Sequence, residues 1–269
     1  MSLALGQAPN DIAFQLTGRD YPEEEAGKRS CPMEAATPVL ALSALYVGLL
    51  LDLRRRGRAI PRWRVTAFAA GVALLGLALA APLEGRFATH MLQHLLIGDL
   101  APLCLVLGVD GPLLRPLLAV HAVQRLRPLA HPLVALPLWA INLVCWHLPV
   151  LYDAALRHGD VHALQHAMFF TCGTLLWAAL LEPLPGPRWF TSARKLLYMA
   201  AMWLVMLGLS QVFLWSTTAL YLGYSVGDQR AGGGVMLFEG SAVMIGVAVW
   251  LLWRVVGERG YGAPMTPTL

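Results

Sequence analysis

Residues 195–214 read KLLYMAAMWLVMLGLSQVFL, and the only charged side chain in this run is Lys195, at its start. A helix of about 20 apolar residues is long enough to cross the hydrocarbon core of a bilayer, which is roughly 30 Å thick. Six further apolar runs occur along the chain, at 38–53, 65–81, 88–108, 131–148, 160–181 and 233–253. The sequence therefore predicts an all-α, polytopic membrane helix bundle with about seven transmembrane helices.

The composition supports a membrane protein. Of the 269 residues, 57% are hydrophobic and only 13% are charged, and the mean hydropathy is +0.59, well outside the usual balance of a soluble domain. We find no linker or low-complexity tract between the apolar runs, and the polar start of the chain lacks the apolar segment of a cleavable signal peptide. We predict a polar N-terminal tail at 1–37, one membrane domain at 38–256 and a C-terminal tail at 257–269.

Basic residues predict the orientation, because cytoplasmic loops of membrane proteins are rich in Lys and Arg. Fourteen of the 20 basic residues follow the first, third, fifth and seventh apolar runs: Arg54, Arg55, Arg56, Arg58, Arg62, Arg64, Arg115, Arg125, Arg127, Arg188, Arg194, Lys195, Arg254 and Arg259. The N-terminus is therefore predicted outside the cytoplasm and the C-terminus inside. The net charge of +4 is a topology signal, so we expect no nucleic-acid partner.

A five-residue pattern, H-x-L-Q-H, occurs twice, at residues 90–94 and 162–166. Residues four apart lie on one face of a helix, so each copy presents a pair of imidazoles one turn apart. The predicted orientation places both pairs at the outer leaflet, and His147 ends the fourth apolar run at the same level. We predict a cluster that binds a metal or haem, formed by His90, His94, His147, His162 and His166. The alternative is that these imidazoles only hydrogen-bond headgroups, loop carbonyls or each other.

The residue types leave the identity of the metal open, because neutral imidazole binds copper, zinc, iron and nickel. Met91 and Met168 suggest a copper site with thioether ligands. However, Met91 lies about 100° around the helix from His90, and Met168 about 200° from His166, so we interpret both as packing residues. Gln93 and Gln165 are expected to orient an imidazole ring by hydrogen bonding.

Acidic residues within the apolar runs are a second conspicuous feature. Asp99 lies about 14 Å below His90, where an ionised carboxylate costs about 2.5–3.5 kcal/mol. On a regular helix it also lies about 180° from His90, so we expect it to contact another helix, with Pro102 indicating a local irregularity. Glu239 follows the glycines at 232–234 and is either a ligand or an interhelical hydrogen-bonding partner.

Other polar residues flank the predicted outer surface. Asp153 either hydrogen-bonds a ligating histidine or caps a short turn. Asp228 lies in the outer segment before the last run, near tyrosines that suit the membrane interface. Cys31 could bind a soft metal such as Cu(I), although a lone thiol in a tail more often has no such role. The other cysteines are interpreted as apolar packing residues: Cys104, Cys145 and Cys172.

Several of these segments, in this order, resemble the multi-span cytochrome c oxidase assembly factors called CtaG, which are associated with caa-type oxidases. The resemblance covers most of the chain from the second run to the seventh. It does not extend to the single-span copper chaperone of the same name, or to the tail through Cys31. The segments that carry it are HMLQHLL at 90–96, APL at 101–103, WHLP at 146–149, LYDAAL at 151–156, HALQH at 162–166 and DQ at 228–229.

The resemblance implies a multi-pass protein of the bacterial cytoplasmic membrane that helps to make an active haem-copper oxidase, without being an enzyme. It also implies copper supply to the oxidase's copper B centre, an oxidase subunit as the partner, and the five histidines as the matching residues. Two alternatives remain open at this stage. One is a bis-histidine haem protein with a redox role, and the other is a metal or proton transporter that uses Asp99 and Glu239.

Overall fold

The fold was analysed in a computed structural model that describes residues 32–81, 83 and 85–260. All regular elements in these residues are helical. In chain order the helices are α1 (Pro32–Arg55), α2 (Arg62–Ala80), α3 (Phe87–Leu95), a π-helix (Leu96–Leu100), α4 (Ala101–Leu107), α5 (Gly111–Leu118), α6 (His121–Leu126), a 3-10 helix (Arg127–Ala130), α7 (Pro132–Trp146), α8 (Pro149–Arg157), α9 (Gly159–Leu181), α10 (Ser192–Trp215) and α11 (Val226–Gly260). The prediction of an all-α bundle is confirmed.

Six helical segments of the described chain are long and apolar enough to cross a membrane: Ala36–Arg55, Arg62–Ala80, Phe87–Leu107, Gly159–Leu181, Ser192–Trp215 and Val226–Trp253. A seventh crossing needs α7 together with the short helices before it, from which it is bent by 79°. The prediction of about seven spans agrees with this range. The side of the membrane on which each terminus lies stays a prediction, because it depends on whether α7 crosses.

Helix α7 has 15 residues and ends at Trp146, two residues before the end of the predicted run. Pro149 explains the early end, because a proline disfavours the helical conformation in the residue before it. Leu148 is accordingly extended, with φ −69° and ψ 135°. At 1.5 Å per residue, α7 is about 22 Å long, shorter than the hydrocarbon core. The segment after it forms the helix α8.

The tail predictions fall mainly outside the described residues. Within them, α1 begins at Pro32, so helix already covers the last six residues of the predicted N-terminal tail. Helix α11 continues to Gly260, past the predicted start of the C-terminal tail. The predictions for Cys31, for the rest of the N-terminal tail and for the residues after Gly260 concern parts of the chain that the structure does not describe.

The span Phe87–Leu107 is the centre of the bundle. Of its most apolar stretch, 72% is buried inside the protein, against 11% of the corresponding stretch in Ala36–Arg55. It packs on α2, α9 and α11. Small residues allow these close contacts. A Cβ atom at Gly173 of α9 would collide with the carbonyl of Gly98, and one at Gly232 of α11 would collide with the Phe87 ring.

The central span is irregular where the sequence placed Asp99. Residues Leu96–Leu100 form a π-helix, in which the N–H of Ala101 donates to the carbonyl of Leu96. Pro102 has no N–H, so the carbonyl of Gly98 lacks its normal partner four residues on. The irregularity expected from Pro102 is therefore present. Such π-helical turns occur frequently at functional sites.

Candidate metal centre

The two H-x-L-Q-H pairs face each other across the contact between α3 and α9. One nitrogen from each of His90, His94, His162 and His166 lies within 4.8 Å of the others, and we call these residues the four-histidine cluster. The ring centroids are 4.3 Å apart within the first pair and 4.2 Å apart within the second. Between the helices they are 5.3 Å apart for His90 and His162, and 5.5 Å apart for His94 and His166.

These nitrogens are close enough to share one ion after small side-chain rotations. In a tetrahedral site with metal–nitrogen bonds of about 2.0 Å, the nitrogens are about 3.3 Å apart. His90 and His94 are buried, and His162 and His166 are half-buried. Within the described residues, Nε2 of His90 and of His166 and both nitrogens of His94 have no hydrogen-bond partner. A buried polar atom without a partner is costly, and metal binding would satisfy these nitrogens.

His147, the fifth predicted ligand, lies directly after α7 and outside the group of four nitrogens. Its ring centroid is 6.2 Å from that of His94. Its Nδ1 lies 2.7 Å from the carbonyl oxygen of Leu143. Because a carbonyl oxygen only accepts, Nδ1 carries the hydrogen and Nε2 keeps its lone pair. Nε2 has no partner in the described part of the chain, so it too is available as a ligand.

Tyr152 of α8 contacts the cluster, although the sequence analysis did not single it out. Its hydroxyl lies 2.8 Å from Nδ1 of His90. When Nδ1 donates to this hydroxyl, Nε2 of His90 keeps the lone pair that binds a metal. Burial raises the pKa of Tyr152, so the phenol stays neutral at physiological pH. The available signal was the LYDAAL segment, in which Tyr152 lies five residues after His147.

An aromatic layer holds Tyr152 in place. Its ring stacks on Tyr221 with centroids 4.0 Å apart. The Tyr221 hydroxyl donates to the backbone carbonyl of His147 at 2.7 Å, and burial raises the pKa of Tyr221. Tyr221 is therefore buried within this aromatic layer. Oδ1 of Asp153 is buried without a hydrogen-bond partner in the described part of the chain, and the charge of Asp153 contributes to the raised pKa of Tyr221.

Asp228 supports the first histidine pair from α11. Its carboxylate accepts hydrogen bonds from the backbone N–H groups of Phe87 at 2.6 Å and Ala88 at 3.3 Å. These are the first residues of α3, where N–H groups have no partner in the helix and a negative charge is stabilising. Asp228 therefore ties the start of α11 to the helix that carries His90 and His94.

The two glutamines of the repeated pattern are buried beside the cluster. Nε2 of Gln93 donates to the backbone carbonyl of Ala78 at 2.8 Å, which links α3 to α2. The amide atoms of Gln165 have no hydrogen-bond partner among the residues described. Gln93 thus contacts a neighbouring helix, and the expected hydrogen bond to an imidazole is not observed for either residue.

Asp99 and Glu239, the acidic residues of the apolar runs, meet on the side of the cluster where the π-helix lies. Nε1 of Trp177 in α9 donates to Oδ1 of Asp99 at 2.6 Å, as expected for a side chain that contacts another helix. Glu239 of α11 interacts with Asp99. Asp99 also lines a cavity together with His94. The prediction that Asp99 lies about 180° around the helix from His90 assumed a regular helix, and the π-helix changes the angle between Asp99 and the histidines of α3.

The described residues thus form an all-helical bundle with membrane-spanning segments, in which four imidazoles surround one point. The chain matches the model of the family "Cytochrome c oxidase caa3 assembly factor (Caa3_CtaG)" over residues 44–258. It therefore belongs to the family of cytochrome c oxidase caa3 assembly factors. The resemblance inferred from the sequence is confirmed.

The chain is also similar to two mycobacterial proteins. The chain is 26% identical over 260 residues to the uncharacterized protein Mb0105 of Mycobacterium bovis and, equally, to the uncharacterized protein MT0111 of Mycobacterium tuberculosis. Each match covers 84% of this chain and 39% of the relative, so the chain spans well under half of either one. No solved structure matches the chain.

Proposed function

We propose that this assembly factor binds copper at the four-histidine cluster and passes it to a subunit of a haem-copper oxidase in the bacterial cytoplasmic membrane. The observation that carries the proposal is the convergence of four imidazole nitrogens within 4.8 Å. Among divalent first-row metals, copper binds such nitrogen sites most strongly. The family supplies the recipient, because the oxidase it helps to assemble is a copper enzyme.

The spacing of the imidazoles favours an ion over haem. A haem bound by one histidine from each helix would need to place its plane between the rings. The second imidazole of each pair lies only 4.2–4.3 Å from the first and would obstruct that plane. A single ion needs no such space. The proposed role is to bind and release the ion, without a catalytic step.

The different exposure of the two histidine pairs also suits transfer of copper to a partner. His90 and His94 are buried in the bundle, whereas His162 and His166 of α9 are half-buried. A partner that approaches α9 would meet the second pair first and could exchange ligands with it one at a time. The sequence-based orientation places this exchange at the outer leaflet.

The test compares wild-type protein with a variant in which His90, His94, His162 and His166 are all replaced by Ala. His121→Ala is the matched control, because His121 is exposed and lies outside the cluster. We expect the purified fourfold variant to bind at least one copper ion fewer than the wild-type and control proteins, because the four-histidine cluster is lost. Cells that express the fourfold variant should produce oxidase with depleted copper. Normal oxidase copper in those cells would contradict the proposal.

A further inference from the structure

A cavity of about 30 Å³ lies beside the four-histidine cluster, towards the π-helix. A cavity needs about 10–15 Å³ to hold one water, so this one has room for a single small occupant and not for an organic molecule. Among its lining residues are Met91, His94, Asp99, His147, Met206 and Met236. We call it the methionine-lined cavity.

Three methionines from three different helices line this space. Met91 of α3, Met206 of α10 and Met236 of α11 are 1%, 7% and 2% exposed. Buried methionines usually fill gaps in a core. Here a gap remains between them, and the imidazoles that share it, those of His94 and His147, have nitrogens without partners in the described chain. Thioether and imidazole together are ligands that suit Cu(I).

The charge of the lining fits a monovalent cation. Thioethers and neutral imidazoles carry no charge, and a cation inside a membrane protein needs a nearby negative group. Asp99 lines the cavity, and its carboxyl group is oriented by the hydrogen bond from Trp177. Asp99 also interacts with Glu239, and two neighbouring carboxyl groups resist ionising together. Asp99, which lines the cavity, is the member of this pair that would lie beside a cation bound there.

We propose that the methionine-lined cavity is a second metal site, selective for Cu(I), which takes ligands from Met91, Met206 and Met236 together with His94 or His147. Asp99 supplies the balancing charge. His94 belongs both to the four-histidine cluster and to the cavity, so one side-chain rotation connects the two sites. This inference rests on the proposed function, because it takes copper as the cargo.

The test counts Cu(I) ions bound per protein under anaerobic conditions, by competition with a chromophoric Cu(I) chelator. The cavity variant is Met206→Leu/Met236→Leu, since exchange of Met for Leu nearly conserves volume. The control is Met199→Leu/Met202→Leu, because these methionines are equally buried in α10 but do not line the cavity. We expect two ions in the wild type and the control, and one in the cavity variant.

Separate variants distinguish the two sites. His162→Ala/His166→Ala damages only the four-histidine cluster and should keep one ion, whose X-ray absorption spectrum shows sulfur ligands. Asp99→Asn should weaken the binding of this ion at least tenfold. If the cavity variant binds as many ions as the wild type, the cavity proposal is wrong and the four-histidine proposal stands. If the wild type binds only one ion, and this ion is lost in the cavity variant but kept in His162→Ala/His166→Ala, the cavity proposal stands and the four-histidine proposal fails.

Discussion

Tyr152→Phe isolates the hydrogen bond that orients a proposed ligand. The substitution removes the hydroxyl that lies 2.8 Å from Nδ1 of His90 and keeps the ring that stacks on Tyr221. Loss of such an orienting partner typically costs 10–100-fold in metal affinity. That range corresponds to about 1.4–2.7 kcal/mol of binding free energy. We expect Tyr152→Phe to weaken copper binding at the four-histidine cluster by this amount.

The assay is competition with a chromophoric copper chelator on purified protein in detergent. It uses the Met206→Leu/Met236→Leu background, so that only the four-histidine cluster is titrated. The control is Tyr198→Phe, because Tyr198 is also buried and its hydroxyl hydrogen-bonds the carbonyl of Leu176, away from the histidines. The assigned role of Tyr152 would be refuted if Tyr152→Phe left the copper affinity within threefold of that of the Met206→Leu/Met236→Leu protein. It would also be refuted if Tyr198→Phe lowered the copper affinity equally.

Three further substitutions test the framework of the site. Gly173→Ala should lower the stability by about 1–3 kcal/mol because its Cβ meets the carbonyl of Gly98, whereas Gly208→Ala, where a Cβ meets open space inside α10, should raise it by up to about 1 kcal/mol in thermal unfolding. Asp228→Asn should cost about 1 kcal/mol at the start of α3, because only one of its two acceptor oxygens remains, and should also weaken copper binding; Asp110→Ala, which removes the cap of α5, should lower stability alone. Tyr221→Phe should reduce the loss of stability above about pH 10, measured by unfolding at a series of pH values.

The sign of the pH effect follows from the raised pKa of Tyr221. The folded state favours the neutral phenol, so its contribution is complete below the ordinary pKa of 10.0 and is lost as the pH rises above it. An unchanged alkaline profile in Tyr221→Phe would contradict this reasoning. Equal thermal stability of Gly173→Ala and Gly208→Ala would contradict the close contact at Gly98. Unaltered copper affinity in Asp228→Asn would show that the position of α3 does not depend on this cap.

The sequence predicted the helical bundle because the length of each apolar run can be read directly from the sequence. It also predicted the facing histidine pairs, since the i,i+4 spacing fixes their common helical face. It predicted that Asp99 contacts another helix and that the helix is irregular near Pro102. It did not predict the angle between Asp99 and the histidine pair, because the form of the irregular turn depends on packing between Gly98 and Gly173. Tyr152 was not singled out as a partner of His90, since that contact requires α8 to fold back over α3.

The contact between the methionines was likewise not predictable from the sequence. Met91 was interpreted as a packing residue from its angle to His90, yet it lines a cavity with His94, three residues further along the helix. Met206 and Met236 join it from α10 and α11, which lie far away in the sequence. No spacing rule connects these three residues, because the cavity exists only after the helices pack.

X-ray absorption spectroscopy at the copper edge tests the central claim most directly. The sample is purified Met206→Leu/Met236→Leu protein loaded with one equivalent of copper, so that the four-histidine cluster is the proposed site. The account predicts a shell of imidazole nitrogens at about 2.0 Å, with the multiple scattering of histidine rings, and its loss when His90, His94, His162 and His166 are replaced by Ala. Failure to bind copper, or an unchanged spectrum in the fourfold variant, would contradict it.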